Sequence, residues 1–265
     1  MRYLETNSLR RFASQLTEES FISDKYTSIL SLLEIISGIS DDESFKLRKS
    51  IIKKIIRSQI KTDLTLPELK IYNAFGIDYN NSEILEKIMM IIRIIDTVKD
   101  YNNMESTIKL NYLFDVWEFV KQYDKNANIE FRKVIFNRFP DSGIKKLIQQ
   151  FNERWTQENL NLLKTKIVDF YAGIIFRNLP NQSRKSKSEI YSAYDNSIDI
   201  YLIVTAFYID EKISFKNIPG KNDYLDLNHL IYLYKYQNQI ITDDKLLFKL
   251  LTKIYPNNIL KTNRI

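Results

Sequence analysis

Four acidic side chains near the two ends of the chain have the right types and positions to act on a common ligand. Glu5 closes a short apolar run, and Glu34 is the only acid on an apolar segment of Leu, Ile and Ser. Asp226 opens a predicted helix, and Asp244 follows an apolar run of the β type. Open parallel sheets collect such residues at the carboxyl ends of their strands. Carboxylates are the ligands that Mg²⁺ and Mn²⁺ prefer, and a bound ion could activate a water molecule for in-line attack.

The hydrophobic pattern predicts the elements that must position these acids. Strands and helices alternate near both ends: a strand over 2–6, a helix over 8–16, a β segment passing into a helix over 25–36, the Asp226 helix, a strand over 239–243 and a helix over 246–254. Ser40 and Glu43 have the spacing of a capping box. Residues 65–212 are predicted to be helical almost throughout, and Pro219-Gly220 marks the return to α/β. The predicted fold is an α/β domain interrupted by a helical insertion.

Composition limits the chemistry that the chain can perform. The 265 residues include no cysteine, which excludes disulfides, thiolate zinc sites and a cysteine nucleophile. Neither a GxGxxG nor a GxxxxGK[ST] motif is present, which argues against a nucleotide-binding loop. The densest apolar run, residues 88–92, stops at Arg93, so we expect a soluble, cytoplasmic protein. A net charge of +6 is typical of proteins with a polyanionic partner such as nucleic acid.

Four short motifs, in this order, resemble the PIN-domain nucleases. They are the strand and polar turn from Arg2 to Phe12, the Thr-Ser-then-Glu helix from Tyr26 to Ile35, the helix opened by Asp226, and the closing Thr242-Asp243-Asp244-Lys245. The resemblance covers about the first 45 and the last 55 residues. It implies a three-layer α/β fold with a short parallel sheet, formed by residues 1–45 and 213–265, with residues 46–212 as an all-α insertion. It also implies a metal-dependent endoribonuclease that uses Mg²⁺ or Mn²⁺.

The resemblance assigns roles to individual residues. The expected metal ligands and catalytic acids are Glu5, Glu34, Asp226 and Asp244, with Asp243 as a substitute for Asp244. Glu5 departs from the family pattern, which has Asp there, and the longer side chain puts ion binding in doubt. Supporting roles fall to Thr6 or Asn7, which would orient a ligand or its water, and to Thr242, Asp223 and His229.

Ordinary structural roles compete with these functional ones. Asp226 could be a helix N-cap, and Asp243 and Asp244 could be acids favoured by a helix dipole. Glu5 could be a surface acid at a strand end. Glu34 is the exception, because a carboxylate buried without a partner is costly. His229 follows Asp226 by three residues on the same helix face, where it could contact a phosphate or carry a proton.

Basic side chains suggest where nucleic acid would bind. Arg10 and Arg11 lie just beyond the predicted site, and a second group forms one stripe of a helix: Lys46, Lys49, Lys53 and Arg57. The polar loop over 181–188, which contains Arg184 and Lys187, is a further basic segment. Expected partners are RNA, with DNA left open, and a neutralising protein of the antitoxin type, because shorter PIN proteins often act as toxins. The alternative is a protein that keeps the fold without the ion and serves as an interaction module.

Overall fold

The computed structural model describes residues 1–78, 82–151, 154–179, 185–234 and 238–264. Its strands are β1 (Arg2–Leu4), β2 (Lys25–Ser28), β3 (Lys61–Asp63), β4 (Gln239–Ile241) and β5 (Ile259–Leu260). Its α-helices are α1 (Thr6–Arg11), α2 (Glu19–Ile22), α3 (Ile29–Ser37), α4 (Asp42–Ser58), α5 (Pro67–Ala74), α6 (Ser82–Thr97), α7 (Tyr101–Leu110), α8 (Phe114–Glu130), α9 (Ile144–Phe151), α10 (Gln157–Asn178), α11 (Lys187–Ser192), α12 (Asp199–Ser214), α13 (Asp223–Asn228) and α14 (Lys245–Ile254). Tighter or looser helical turns cover Gln15–Thr17, Phe131–Ile135, Phe136–Ser142, His229–Tyr232, Pro256–Asn258 and Thr262–Arg264. None of the helices described is long and apolar enough to span a bilayer.

All five strands run parallel, in the order β3-β2-β1-β4-β5. The central strand β1 pairs Tyr3 with Tyr26 on one side and with Ile240 on the other. The chain moves outward through β2 and β3 on one side and then returns to form β4 and β5 on the other. The direction of winding therefore reverses between β1 and β4. Open α/β sheets bind ligands at the carboxyl ends of the strands that flank such a reversal.

The predicted α/β class is confirmed, with one strand in an unexpected place. Residues 61–63 lie inside the range predicted as an all-α insertion, yet they form β3 and pair with β2. Only three residues long and without apolar alternation, this strand has too weak a pattern to be recognised. The long helical section that separates the two parts of the sheet therefore begins at Pro67 and not at residue 46.

The start of α4 also differs from the prediction. Its N-cap is Asp41, whose carboxylate accepts a hydrogen bond from the Ser44 amide at 2.8 Å. The Ser44 hydroxyl oxygen in turn accepts a hydrogen bond from the Asp41 amide at 3.0 Å. The reciprocal pattern is the expected capping box, displaced by one residue from Ser40 and Glu43. Asp satisfies the free amide as well as Ser does, so the sequence leaves two registers open.

Aromatic packing attaches the helix that carries Asp226 to the sheet. Tyr3 is fully buried, stacks on Tyr232 with ring centroids 5.6 Å apart, and lies 5.4 Å from Tyr26. Tyr232 ends the helical turn that continues α13. Burying each of these large side chains contributes roughly 1.5–3 kcal/mol. Helix α8 packs on both α3 and α13, so the helical section is joined directly to the elements that hold the predicted site.

Candidate functional site

Glu5 lies at the carboxyl end of β1 and acts as the N-cap of α1. Its carboxylate accepts hydrogen bonds from the Asn7 amide at 2.6 Å and from the Ser8 amide and hydroxyl at 3.1 Å. The Ser8 hydroxyl also lies 2.5 Å from the Ile241 carbonyl, which ties α1 to the end of β4. Burial raises the pKa of Glu5, although the charge of His229 and these hydrogen bonds oppose the rise. The longer side chain thus folds back on its own helix, and most of its bonding capacity is used there.

The half-buried carboxylate of Glu34 is paired with Thr6 and His229. Its Oε2 accepts a hydrogen bond from the Thr6 hydroxyl and lies 2.9 Å from Nε2 of His229. Nδ1 of His229 is 2.7 Å from the Tyr3 hydroxyl, which is 2.7 Å from the Ser28 hydroxyl. A buried chain of polar groups therefore runs from Glu34 through His229 into the sheet. Of the two residues expected to orient an acid, Thr6 contacts Glu34, whereas the side chain of Asn7 is exposed.

Glu34 and His229 favour each other's charged forms. Burial alone would raise the pKa of Glu34, but the charge and hydrogen bond of His229, together with Thr6 and Arg10, outweigh it and the pKa is lowered. Burial alone would lower the pKa of His229, but the charge and hydrogen bond of Glu34, together with the charges of Glu5 and Asp226, outweigh it and the pKa is raised. His229 is 2% exposed and Glu34 18% exposed, so water screens the attraction only weakly. The pair is an ionic contact at the edge of the site.

Asp226 is the least satisfied of the predicted acids. Its carboxylate has no hydrogen-bond or ion-pair partner among the residues that the structure describes. Burial and then the charge of Asp244 raise its pKa from 3.8 to about 7, with smaller contributions from Glu34 and Asp223, while His229 opposes the rise. A half-buried carboxylate crowded by like charges is the arrangement that a bound cation relieves.

Asp244 follows β4 and is the N-cap of α14. Its Oδ1 accepts a hydrogen bond from the Leu247 amide at 2.8 Å, and its own amide donates to the Thr242 hydroxyl at 2.9 Å. Thr242 is fully buried, which fixes the turn that presents Asp244. Capping engages Oδ1, and no hydrogen bond to Oδ2 occurs within the described residues.

Asp243 and Asp223 are occupied elsewhere. Asp243 is exposed, pairs with Arg11 at 2.6 Å and accepts a hydrogen bond from the Thr262 hydroxyl, which lowers its pKa. Asp223 accepts hydrogen bonds from the Tyr208 hydroxyl at 2.6 Å and the Gly220 amide at 2.8 Å, and it lies 3.1 Å from the Lys212 ammonium. Both carboxylates stabilise local structure, and the role of Asp243 as a substitute for Asp244 stays a prediction.

A further acid, Asp124 of α8, was missed by the sequence reasoning. Its Oδ1 is buried without a hydrogen-bond partner in the described part of the chain, and burial followed by the charge of Glu34 raises its pKa. The sequence gives little sign of a role for Asp124, because its neighbours are Lys and Asn residues, which are typical of the solvated face of a helix. The packing of α8 against α3 and α13 brings Asp124 toward the site.

Arg10 is the basic residue best placed for a substrate. It is exposed, and its charge contributes to the lowered pKa of Glu34. Arg11, by contrast, is engaged by Asp243.

The basic stripe on α4 contains a residue with a structural role. Lys49 donates a hydrogen bond to the Val98 carbonyl just beyond the end of α6. Lys46 and Arg57 are exposed, and Lys53 is half-buried. Arg184 lies outside the described residues.

No three His, Asp or Glu side chains lie close enough together to form a metal-binding set within residues 1–78, 82–151, 154–179, 185–234 and 238–264. No protein-family model matches the chain, and no curated protein or solved structure is significantly similar to it. The site must therefore be interpreted from its own side chains. Carboxylates from α3, α13 and the turn after β4 influence one another electrostatically, while Glu5 caps a helix beside them.

Proposed function

We propose that the chain is a PIN-like, metal-dependent nuclease that hydrolyses RNA phosphodiesters. One observation carries the proposal: Asp226 has a half-buried carboxylate without a described partner, beside the charge of Asp244 and near the strands where the sheet winding reverses. The order of Glu5, Glu34, Asp226 and Asp244 along the chain supports the same reading. A site for a divalent cation and a phosphate group accounts for an uncompensated acid in this position.

The donor set fits Mg²⁺ or Mn²⁺. Mg²⁺ is commonly held by one or two carboxylates, with water and substrate phosphate completing the shell, so a compact cage of three acids is not required. Asp226 and Asp244 would hold the ion, and the second oxygen of Glu34 is available to orient its water. When bound, the ion would lower the pKa of a water molecule and neutralise charge on the phosphate oxygens.

The surrounding side chains have separable roles in this proposal. His229 holds Glu34 ionised and fixes its orientation together with Thr6. Arg10 supplies an exposed positive charge beside Glu34, suited to a substrate phosphate. Glu5 stabilises α1 and so holds Thr6 in contact with Glu34.

Cleavage of labelled RNA and DNA oligonucleotides tests the proposal. The wild type is compared with Asp226→Asn, with the Glu34→Gln/Asp226→Asn double variant and with Asp115→Asn, an exposed acid of α8 that serves as the matched control. RNA cleavage that requires Mn²⁺ or Mg²⁺, is absent in EDTA, and is lost in both site variants but not in Asp115→Asn is the expected result. Equal cleavage by wild type and Asp226→Asn would reject the proposed site, and cleavage of DNA alone would change the substrate class.

The engagement of Glu5 favours a second candidate, an interaction module without catalysis. Its carboxylate serves α1 through three hydrogen bonds, which leaves it little capacity for an ion. A folded wild type that neither cuts any oligonucleotide nor gains thermal stability from Mn²⁺ would favour this candidate. A protein partner of the antitoxin type would then be sought by testing which proteins bind the folded chain.

A further inference from the structure

A basic groove lies on the helical section, between the turn Phe136–Ser142 and helices α10 and α11. Its volume is about 540 Å³, and a neighbouring depression of about 560 Å³ shares three of its lining residues: Lys166, Asp169 and Lys187. The two form a continuous track along the exposed side of α10. An extended track suits a polymer better than a single small anion.

The charges of the groove are unbalanced. Four cationic side chains line it, Arg138, Lys166, Arg177 and Lys187, against the two acids Asp141 and Asp169. Lys187 pairs with Asp169 at 2.6 Å. The other three cations have no ion-pair partner in the described part of the chain. Uncompensated positive charge in a concave surface attracts polyanions and releases their counterions on binding.

Gly173 keeps the floor of the groove open. It lies in the middle of α10, where glycine costs roughly 0.5–1 kcal/mol relative to alanine. A Cβ at this position would meet only flexible side-chain ends, 3.5 Å from Lys187 Cε and 3.7 Å from an Arg177 nitrogen. A larger side chain would extend between these two cations and fill the space where a phosphate could lie.

Aromatic rings line both parts of the track. Phe170 is half-buried in the groove and packs edge-to-face on Phe139 at 6.2 Å. Tyr191 is half-buried in the neighbouring depression. Cations alternating with aromatic faces are the pattern by which proteins hold single strands, because bases stack on the rings while phosphates contact the cations.

We infer that this groove binds single-stranded RNA. The inference goes beyond the proposed hydrolysis, since binding here uses none of the carboxylates of the site. It also assigns nucleic-acid contact to α10 and α11, in addition to Arg10, Arg11 and the α4 stripe that the sequence suggests.

Fluorescence anisotropy with a labelled single-stranded RNA in EDTA tests the inference without cleavage. The groove variant Lys166→Glu/Arg177→Glu is compared with Lys99→Glu/Lys109→Glu, which changes the net charge equally at exposed lysines near α7. We expect the groove variant to lose about tenfold or more in affinity at about 0.1 M salt. The slope of its log affinity against log salt concentration should become less steep by about 1.4. The control should lose no more than about threefold. Equal losses in the two variants, or no binding by the wild type, would overturn the inference.

Two further arms separate the remaining explanations. Gly173→Leu fills the groove without changing charge and should weaken RNA binding, while a melting temperature no lower than that of the wild type shows that the fold is intact. Polyglutamate tests for an acidic protein partner: binding of polyglutamate by the wild type, with no binding of RNA, would reject the RNA assignment. Because binding is measured in EDTA, where no cleavage is expected, its outcome is independent of any failure of cleavage.

Discussion

His229 is the only histidine of the chain and contacts groups from two other elements. It joins Glu34 of α3 to Tyr3 of β1 and itself follows α13. If the imidazole is neutral, Nε2 donates to Glu34 and Nδ1 accepts from Tyr3. When the imidazole is protonated, both nitrogens donate, and the Tyr3 hydroxyl can donate to Ser28. The network therefore accepts either protonation state without leaving a nitrogen unpaired.

His229→Gln should lower the free energy of unfolding by about 2–3 kcal/mol at pH 5.5. This is less than the roughly 3–5 kcal/mol typical of breaking a fully buried pair, because Glu34 is 18% exposed. Glu34 has a lowered pKa, so its contribution is complete above its ordinary value of 4.5 and is lost as pH falls through the lowered pKa. His229 has a raised pKa, so its contribution is complete below 6.5 and is lost as pH rises through the raised pKa.

Urea unfolding of wild type and variant at several pH values checks this window. The difference in unfolding free energy should be largest between pH 4.5 and 6.5 and should shrink at pH 9. A difference that stays constant to pH 9 would contradict the ionic pairing. Since the chain has one histidine, its NMR titration reports the pKa of His229 without assignment.

Asp226→Asn should stabilise the protein in EDTA at pH 8. The folded state raises the pKa of Asp226 from 3.8 to about 7, so it binds a proton that the unfolded chain releases, and stability falls as pH rises between these values. Asparagine removes this penalty. Partial solvation reduces the full linkage energy of about 4 kcal/mol, and we expect a gain of about 1–2 kcal/mol. Asp115→Asn should not raise the free energy of unfolding. A lower free energy of unfolding in Asp226→Asn would contradict the repulsion between Asp226 and the neighbouring carboxylates.

Residue types predicted part of the site, but their partners could not be predicted. The costly burial of Glu34 is visible in the sequence, because the surrounding residues are apolar. That His229 satisfies it depends on two segments almost two hundred residues apart meeting in the fold. For the same reason Tyr3, which any pattern assigns to the core, could not be predicted as a hydrogen-bond partner of His229.

At the scale of elements, helix caps compete with catalysis for the same carboxylates. Glu5 caps α1 and Asp244 caps α14. The sequence offered Asp226 as an N-cap, but α13 begins three residues earlier, after Asn222, and Asp226 lies inside the helix. Local sequence cannot show whether a capping carboxylate keeps an oxygen free for another ligand, because that depends on which neighbouring elements pack against it.

Substitutions at Asp244 separate capping from charge. Asp244→Ala removes the bond to the Leu247 amide and should cost about 1 kcal/mol in unfolding free energy. Asp244→Asn keeps a capping oxygen and should stay within about 0.5 kcal/mol of the wild type. If Asp244 binds an ion, both variants should lose metal-dependent cleavage. Retained cleavage in Asp244→Asn would restrict the residue to its capping role.

For the whole molecule, the two predicted parts should unfold together. Trp117 and Trp155 both lie within residues 46–212, whereas His229 lies among the elements of the sheet. Because α8, which carries Trp117, packs on α3 and α13, we expect tryptophan fluorescence and the His229 NMR signal to report one urea midpoint. Two separate midpoints would show that the helical section is an independent domain.

The sheet class followed from alternating patterns at both ends of the chain, whereas the strand order did not. Short strands of two to four residues carry little periodicity, and β3 has almost none. The pairing of β1 with β4 is a contact between opposite ends of the sequence, which no local pattern encodes.

That pairing also affects how the protein is made. Because β4 is translated long after β1, the central strand keeps one unpaired edge in the nascent chain until β4 has emerged. The turn after β4 and its Asp244 cannot join Glu5 and Glu34 before then. A nascent chain therefore lacks the assembled acids, and under the proposed function it could not cut RNA before β4 has joined the sheet.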